Sequence, residues 1–258
     1  MKKLGVALLL VSSGLACAGV VAPQKDAALT PFPTARWNAL LEKNVDTEGR
    51  VSYDRVDKAE VDKLYASIAA SSPTTSADYP TAKAKEAYYL NAYNVLVWKN
   101  VLDRLPKLKS VDDAKLSFFV FTKFEVGGKA ISLKDLESDI IRPQFKDPRV
   151  HMALNCASAG CPALPREAFT ADRLDEQLDR EVRKFVGEKR NVDYDAAKKV
   201  VRISKIFDWY KDDFGKEPQK VLAWINGYRA KDAQLATDSK ISYIDYDWHL
   251  NDEHLLRR

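Results

Sequence analysis

Strong charge of one sign is missing from this sequence. Its 41 Lys and Arg stand against 37 Asp and Glu, a formal net of +4, and the two signs are interspersed. A nucleic-acid surface needs basic side chains massed together, so nucleic acid is not an expected partner. Long apolar runs are scarce too: past residue 16, none approaches the roughly 20 residues that span a bilayer. No phosphate-binding loop, dinucleotide fingerprint, serine elbow or HExxH pattern occurs, and no cofactor is expected. Cysteine is limited to three positions, 17, 156 and 161. Together with His151 the last two match no zinc spacing and lack a fourth ligand, so no metal is expected. Repeats and low-complexity tracts are also missing. With 46% hydrophobic and 30% charged residues, the composition is that of an ordinary globular domain.

The first residues carry the clearest positive signal. Lys2 and Lys3 precede a short apolar segment, 4–16, and then small residues, which is the pattern of an export signal. Ala16-Cys17-Ala18 reads as an ordinary cleavage site, whereas Gly14-Leu15-Ala16-Cys17 resembles a loose lipobox. The second reading is favoured by a narrow margin; it puts a lipid on Cys17 and tethers the protein to a membrane without spanning it. Either way, an exported protein is expected, periplasmic or membrane-anchored. The organisation that follows is a signal over 1–17, a proline-containing tether over 18–33 and one globular domain over 34–258.

Along that domain, helices are expected over 34–41, 54–70, 81–105, 133–141, 170–186, 205–214 and 218–228. Strands are expected over 118–124, 125–133, 150–154, 192–203 as a hairpin, and 241–248. Gly127-Gly128 lies inside the second of these strands or turns a hairpin, and Ser132 with Asp135 reads as a short helix cap. The segment 88–98, YYLNAYNVLVW, is apolar almost all round a helix, so it belongs at the centre of the domain. The fold class is therefore α+β: a single domain with a central apolar helix packed on a mainly antiparallel sheet.

Four blocks carry a resemblance: YYLNAYN (88–94), SLKDLESDIIRPQF (132–145), DPRVHMALNCASAGCPAL (147–164) and YDWHLND (246–252). In this order they resemble the conserved blocks of domain-of-unknown-function family 547, which occurs in exported bacterial proteins and in plants. The resemblance implies no established activity. Members commonly have histidine directly after the glutamate of the short helix; here Glu137 is followed by Ser138.

Cys156 is the residue with most chemistry to offer. As a nucleophile it would need His151 as base and Asn155 as orienting or oxyanion-binding amide. On an extended strand, however, positions 151 and 156 face opposite ways. In an oxidising compartment, Cys156 and Cys161 make an even pair in one loop, which suggests a disulfide contributing about 2–3 kcal/mol. Asn91 and Asn94 share one face of the central helix, where their amides either bond neighbouring backbone or line a pocket. Glu137, Arg142, Asp147 and Arg149 read as ion pairs that fix a loop, or as a place where Arg142 or Arg149 grips an anionic ligand. Asp208-Trp209-Tyr210 and Asp247-Trp248-His249 read as packing motifs.

Two functions follow from these candidates. One is a cell-envelope module that binds a small molecule or an envelope protein, with Cys156 and Cys161 as a structural loop. The other is a cysteine-dependent hydrolase or acyl transferase, with Cys156 as nucleophile, His151 as base and Asn155 or Asn91 as polar support. Nothing in the sequence names the ligand or the oligomeric state.

Overall fold

The computed structural model describes residues 19–23 and 31–254. The segment 1–17 read as an export signal, Cys17 included, lies outside the described residues.

The core is built around one helix. Helices α1 (Thr34–Asn44), α2 (Lys58–Ala70) and α3 (Ala82–Leu102) pack together, and α3 is buried at every position from Glu86 to Val101. Thr81 starts α3 by accepting the Ala84 N–H at 3.1 Å, satisfying one of the donors a helix start leaves free. The helix is crowded with aromatics. Trp98 meets Trp37 edge-on at 4.9 Å and Tyr53 at 6.0 Å. Fully burying each such ring contributes on the order of 2–3 kcal/mol before entropy is counted. One cation shares this interior: Lys99, buried, bridges Asp62 and Asp103, which is how a helix apolar almost all round accommodates a charge.

The sheets are smaller and more mixed than the sequence suggests. In the first, β1 (Val20–Val21) runs parallel to β2 (Lys123–Val126), and β2 runs antiparallel to β3 (Lys129–Ser132). The β1 pair thus falls inside the stretch read as a tether. Gly127 and Gly128, both at positive φ, make the β2–β3 turn, the hairpin reading of the two, and split the strand expected over 125–133. The second sheet joins β4 (Val192–Asp195) and β5 (Val200–Ser204) antiparallel, with β6 (Lys240–Ile244) parallel to β5. The class is α+β as expected; the sheet is two three-stranded mixed sheets, and α3 packs on α2 and on the segment after β3.

That segment is a continuous helical stretch of three pieces, α4 (Leu133–Asp135), a π-helical Leu136–Ile141 and α5 (Arg142–Phe145). Ser132 caps it on the Asp135 N–H at 3.1 Å, as read from the sequence. Two expected strands are not strands. Residues 117–121 form a π-helical turn ahead of β2, and 148–152 form a 3₁₀ turn started by Pro148. Asp147 accepts the Arg149 N–H at 2.9 Å and fixes that start, so a locally satisfied turn outcompetes the β-branched and apolar run that had suggested a strand. Farther on, α6 (Leu174–Gly187) buries Leu174, Leu178, Val182 and Phe185 on one face. The last two join a second apolar cluster, closed by α7 (Ile206–Trp209) and α8 (Pro218–Asn226).

The C-terminal segment stitches these parts together. Trp248 and Lys109 carbonyls accept from Val111 (2.9 Å) and Leu250 (3.0 Å), while Asp247 and His249 carbonyls accept from Gly160 (2.8 Å) and Ala159 (2.8 Å). Gly160 is required there: a Cβ on it would stand 2.9 Å from the Asp247 nitrogen. Among the described residues, no helix is long and apolar enough to cross a membrane.

Candidate functional site

Where the two halves of this architecture meet, a cavity of about 460 Å³ opens. Its floor comes from early elements. Tyr93 projects from α3, Glu137 and Ser138 from the π-helical turn, and His151 from the 3₁₀ turn. Its wall comes from the end of the chain. Trp209 packs against Tyr246 at 4.8 Å and Trp248 at 5.6 Å, and those two lie 4.5 Å apart. Trp209 is 46% exposed, an unusual position for a tryptophan that has neighbours to bury it. Lys115 and Lys134 stand at the rim, the first with its ammonium 3.7 Å from the Trp248 ring centroid.

Behind the floor, polar groups are fixed in a chain. Asp213 Oδ2 accepts from Arg142 Nε at 2.7 Å and contacts His151 Nε2 at 2.8 Å. A carboxylate can only accept, so Nε2 of His151 carries the proton. These two donors, His151 foremost, hold the Asp213 carboxyl well below the usual range. The His151 ring stacks on Tyr210 at 4.0 Å, and the Arg142 guanidinium lies 4.9 Å from the same ring centroid. Burial first, and the nearby Glu137 carboxylate second, push the pKa of the Tyr210 hydroxyl far up. The hydroxyls of Tyr93 and Tyr246, pushed up mainly by burial, also lie in the field of Glu137. Burial thus keeps three phenols neutral in the field of Glu137.

Cys156 and Cys161 also line the cavity, with their sulfurs 1.97 Å apart in a disulfide. The bond is wrapped in donors. The Cys156 N–H points at Cys161 Sγ (2.8 Å), and Ser158 Oγ and the Tyr246 hydroxyl contact Cys156 Sγ at 2.8 and 3.1 Å. The loop therefore forms one wall of the pocket and holds Tyr246 in place.

The other residues read from the sequence hold this site in shape and stay outside it. Asn94 donates to the Ala153 carbonyl (2.9 Å) and accepts the Asn155 N–H (2.9 Å). Asn91 does the same for the carbonyl and N–H of Phe169, at 2.8 and 3.0 Å. Asn155 spends its own amide on the Pro162 carbonyl and the Ala157 N–H. All three are buried, and both faces of each amide are used on backbone or on a neighbouring amide. Asn155 is therefore not presented to the cavity beside Cys156 and His151. Arg149 lies elsewhere, ion-paired with Asp147, Asp175 and Asp179; of the two arginines, Arg142 is the one behind the pocket.

Glu86 sits beside that Arg149 cluster with one carboxylate oxygen buried and unbonded. Burial first, then the Asp147 charge, push its pKa from 4.5 up to about 7, against the pull of Arg149 and Lys83. A carboxyl raised on folding stabilises the fold below its unfolded value and loses that contribution as pH rises toward the folded value. Glu86→Gln is thus expected to match the wild type near pH 4 and to exceed it near pH 8. Urea midpoints at both pH values check this; equal midpoints near pH 8 would contradict it.

Sequence reasoning missed the aromatic wall. Trp209, Tyr210 and Trp248 fall in motifs read as packing, Tyr246 stands directly before one of them, and their separation along the chain from Glu137 and His151 hides their convergence. The available signal was compositional: two of the chain's five tryptophans lie in short polar-aromatic motifs rather than in apolar helices.

No curated protein and no solved structure matches the chain significantly. A family model does: it covers the blocks at 88–94, 132–145 and 147–164, and with them the pocket floor and the cysteine loop, but not the wall. Over residues 78–186 the chain matches the model of the family described as Protein of unknown function, DUF547.

Proposed function

We propose that the protein is an exported module that binds a small molecule in the pocket between Glu137 and the Trp209–Tyr246–Trp248 wall. The observation that carries the reading is that pocket itself: mostly apolar walls, a few convergent polar groups and a size within the usual range for small ligands. The disulfide favours binding over cysteine chemistry, because a sulfur bonded to Cys161 has no lone thiolate with which to attack. Export rests on the first 17 residues, and the mass of the mature protein tests it. Cleavage before a lipid-bearing Cys17 or after Ala18 agrees with export; an uncleaved N-terminus contradicts it.

An environment-sensitive dye tests the pocket. An uncharged naphthalene dye of this kind should bind the folded protein at one saturable site. Ser138→Trp, which places an indole in the cavity from a half-buried position, should abolish that site while leaving the unfolding midpoint in place. No saturable binding, or undiminished binding to a folded Ser138→Trp protein, would overturn the reading.

A further inference from the structure

The pocket's charges specify a ligand class. Among the described residues, Glu137 and Lys134 form no ion pair, although they are three residues apart on one helical turn and both line the cavity. Neighbouring charged side chains do pair: Arg142 with Asp213 and Lys115 with Asp112. Glu137 lies near the Tyr210 hydroxyl, with Arg142 in its field. An aromatic pocket thus holds a carboxylate at its floor and an ammonium at its rim, each with hydrogen-bonding capacity to spare.

A purely anionic ligand would meet Glu137, and a purely cationic one would meet Lys134 and Lys115. A ligand carrying both charges satisfies both ends. Its ammonium would rest on Glu137 among ring faces; the Lys115 ammonium already held over Trp248 demonstrates that this wall accepts such a group. Its carboxylate would reach Lys134, and an apolar or aromatic side chain would fill the space between Phe119 and Trp209. Resting on the binding function proposed above, we infer that the pocket takes a small zwitterion with an apolar side chain: an α-amino acid or a short peptide.

Three probes of one shape separate the charges: L-phenylalanine, phenethylamine without the carboxylate, and 3-phenylpropionate without the ammonium. Alanylphenylalanine adds a longer zwitterion. Binding is read from tryptophan emission, excited where the probes do not absorb. One of the two zwitterions should bind about tenfold more tightly than either singly charged probe, as expected for one charge-assisted contact. In Glu137→Gln that preference over 3-phenylpropionate should vanish, with 3-phenylpropionate itself not weakened. In Lys134→Met the preference over phenethylamine should vanish. Equal affinities for all probes, or a Glu137→Gln loss shared by 3-phenylpropionate, would overturn the inference. If the phenyl probes fail while the dye still binds, the zwitterion assignment falls and the binding function stands. If the dye fails as well, both fall.

Discussion

Replacing Asn94 with leucine should destabilise the protein by about 2–5 kcal/mol, a large effect for a change of similar volume. The asparagine amide joins α3 to the backbone at 153 and 155 through two hydrogen bonds, both buried. Leucine would leave a carbonyl and an N–H without partners in the interior, and each unsatisfied group costs about 1–3 kcal/mol. Denaturant unfolding measures the loss. Because residues 153 to 155 lead directly into the cysteine loop, the variant should also bind the dye more weakly under conditions where it remains folded. A cost below roughly 0.5 kcal/mol would mean that water or backbone movement replaces both bonds, and that Asn94 does not organise the site.

The second large effect is expected at the disulfide. Its loop is short, with a separation of 5 residues, and the chain-entropy treatment assigns it about 2 kcal/mol. Cys156→Ser with Cys161→Ser should therefore lower stability by about that amount. The greater loss should be in binding, because the sulfurs and Ser158 contact the Tyr246 hydroxyl on the pocket wall. The prediction is a dye affinity reduced at least tenfold in the double variant, and by a similar factor in wild type treated with reductant. Thiol labelling before and after reduction provides the control: both cysteines should be blocked until reductant is added. Immediate labelling of Cys156 without reductant, with dye binding unchanged, would remove the loop from the account and return weight to the nucleophile.

Local signals explain what was legible from the chain. The Thr81 cap, the run of aromatics in 88–98 and Pro106 beyond it specify α3 without tertiary information, and Ser132 marks its helix start as clearly. Residues 150–154 misled because their apolar run fits a buried strand; the deciding contact is the Asp147 side chain on the Arg149 N–H, a short-range turn signal that periodicity does not weigh. The asparagines were recognised as buried amides that either bond neighbouring backbone or line a pocket; the fold decides for backbone, Asn94 at residues 153 and 155 and Asn91 at Phe169. His151 was singled out for Cys156, yet its ring nitrogen goes to Asp213, a residue 62 positions away with no pattern to announce it. Pocket floor and wall come from opposite ends of the domain, so the site is a property of topology more than of any motif.

Five tryptophans allow the central claim to be tested in one spectrum. Trp37 and Trp98 lie in the core, Trp224 in the second apolar cluster, and Trp209 and Trp248 on the pocket wall. In protein labelled with 5-fluorotryptophan, titration with the uncharged naphthalene dye should move the fluorine resonances of Trp209 and Trp248 together, with one dissociation constant. Those of Trp37 and Trp98 should stay in place. Resonances that all stay fixed, or core signals that move while Trp209 and Trp248 do not, would show that the aromatic wall is packing and that the binding site lies elsewhere.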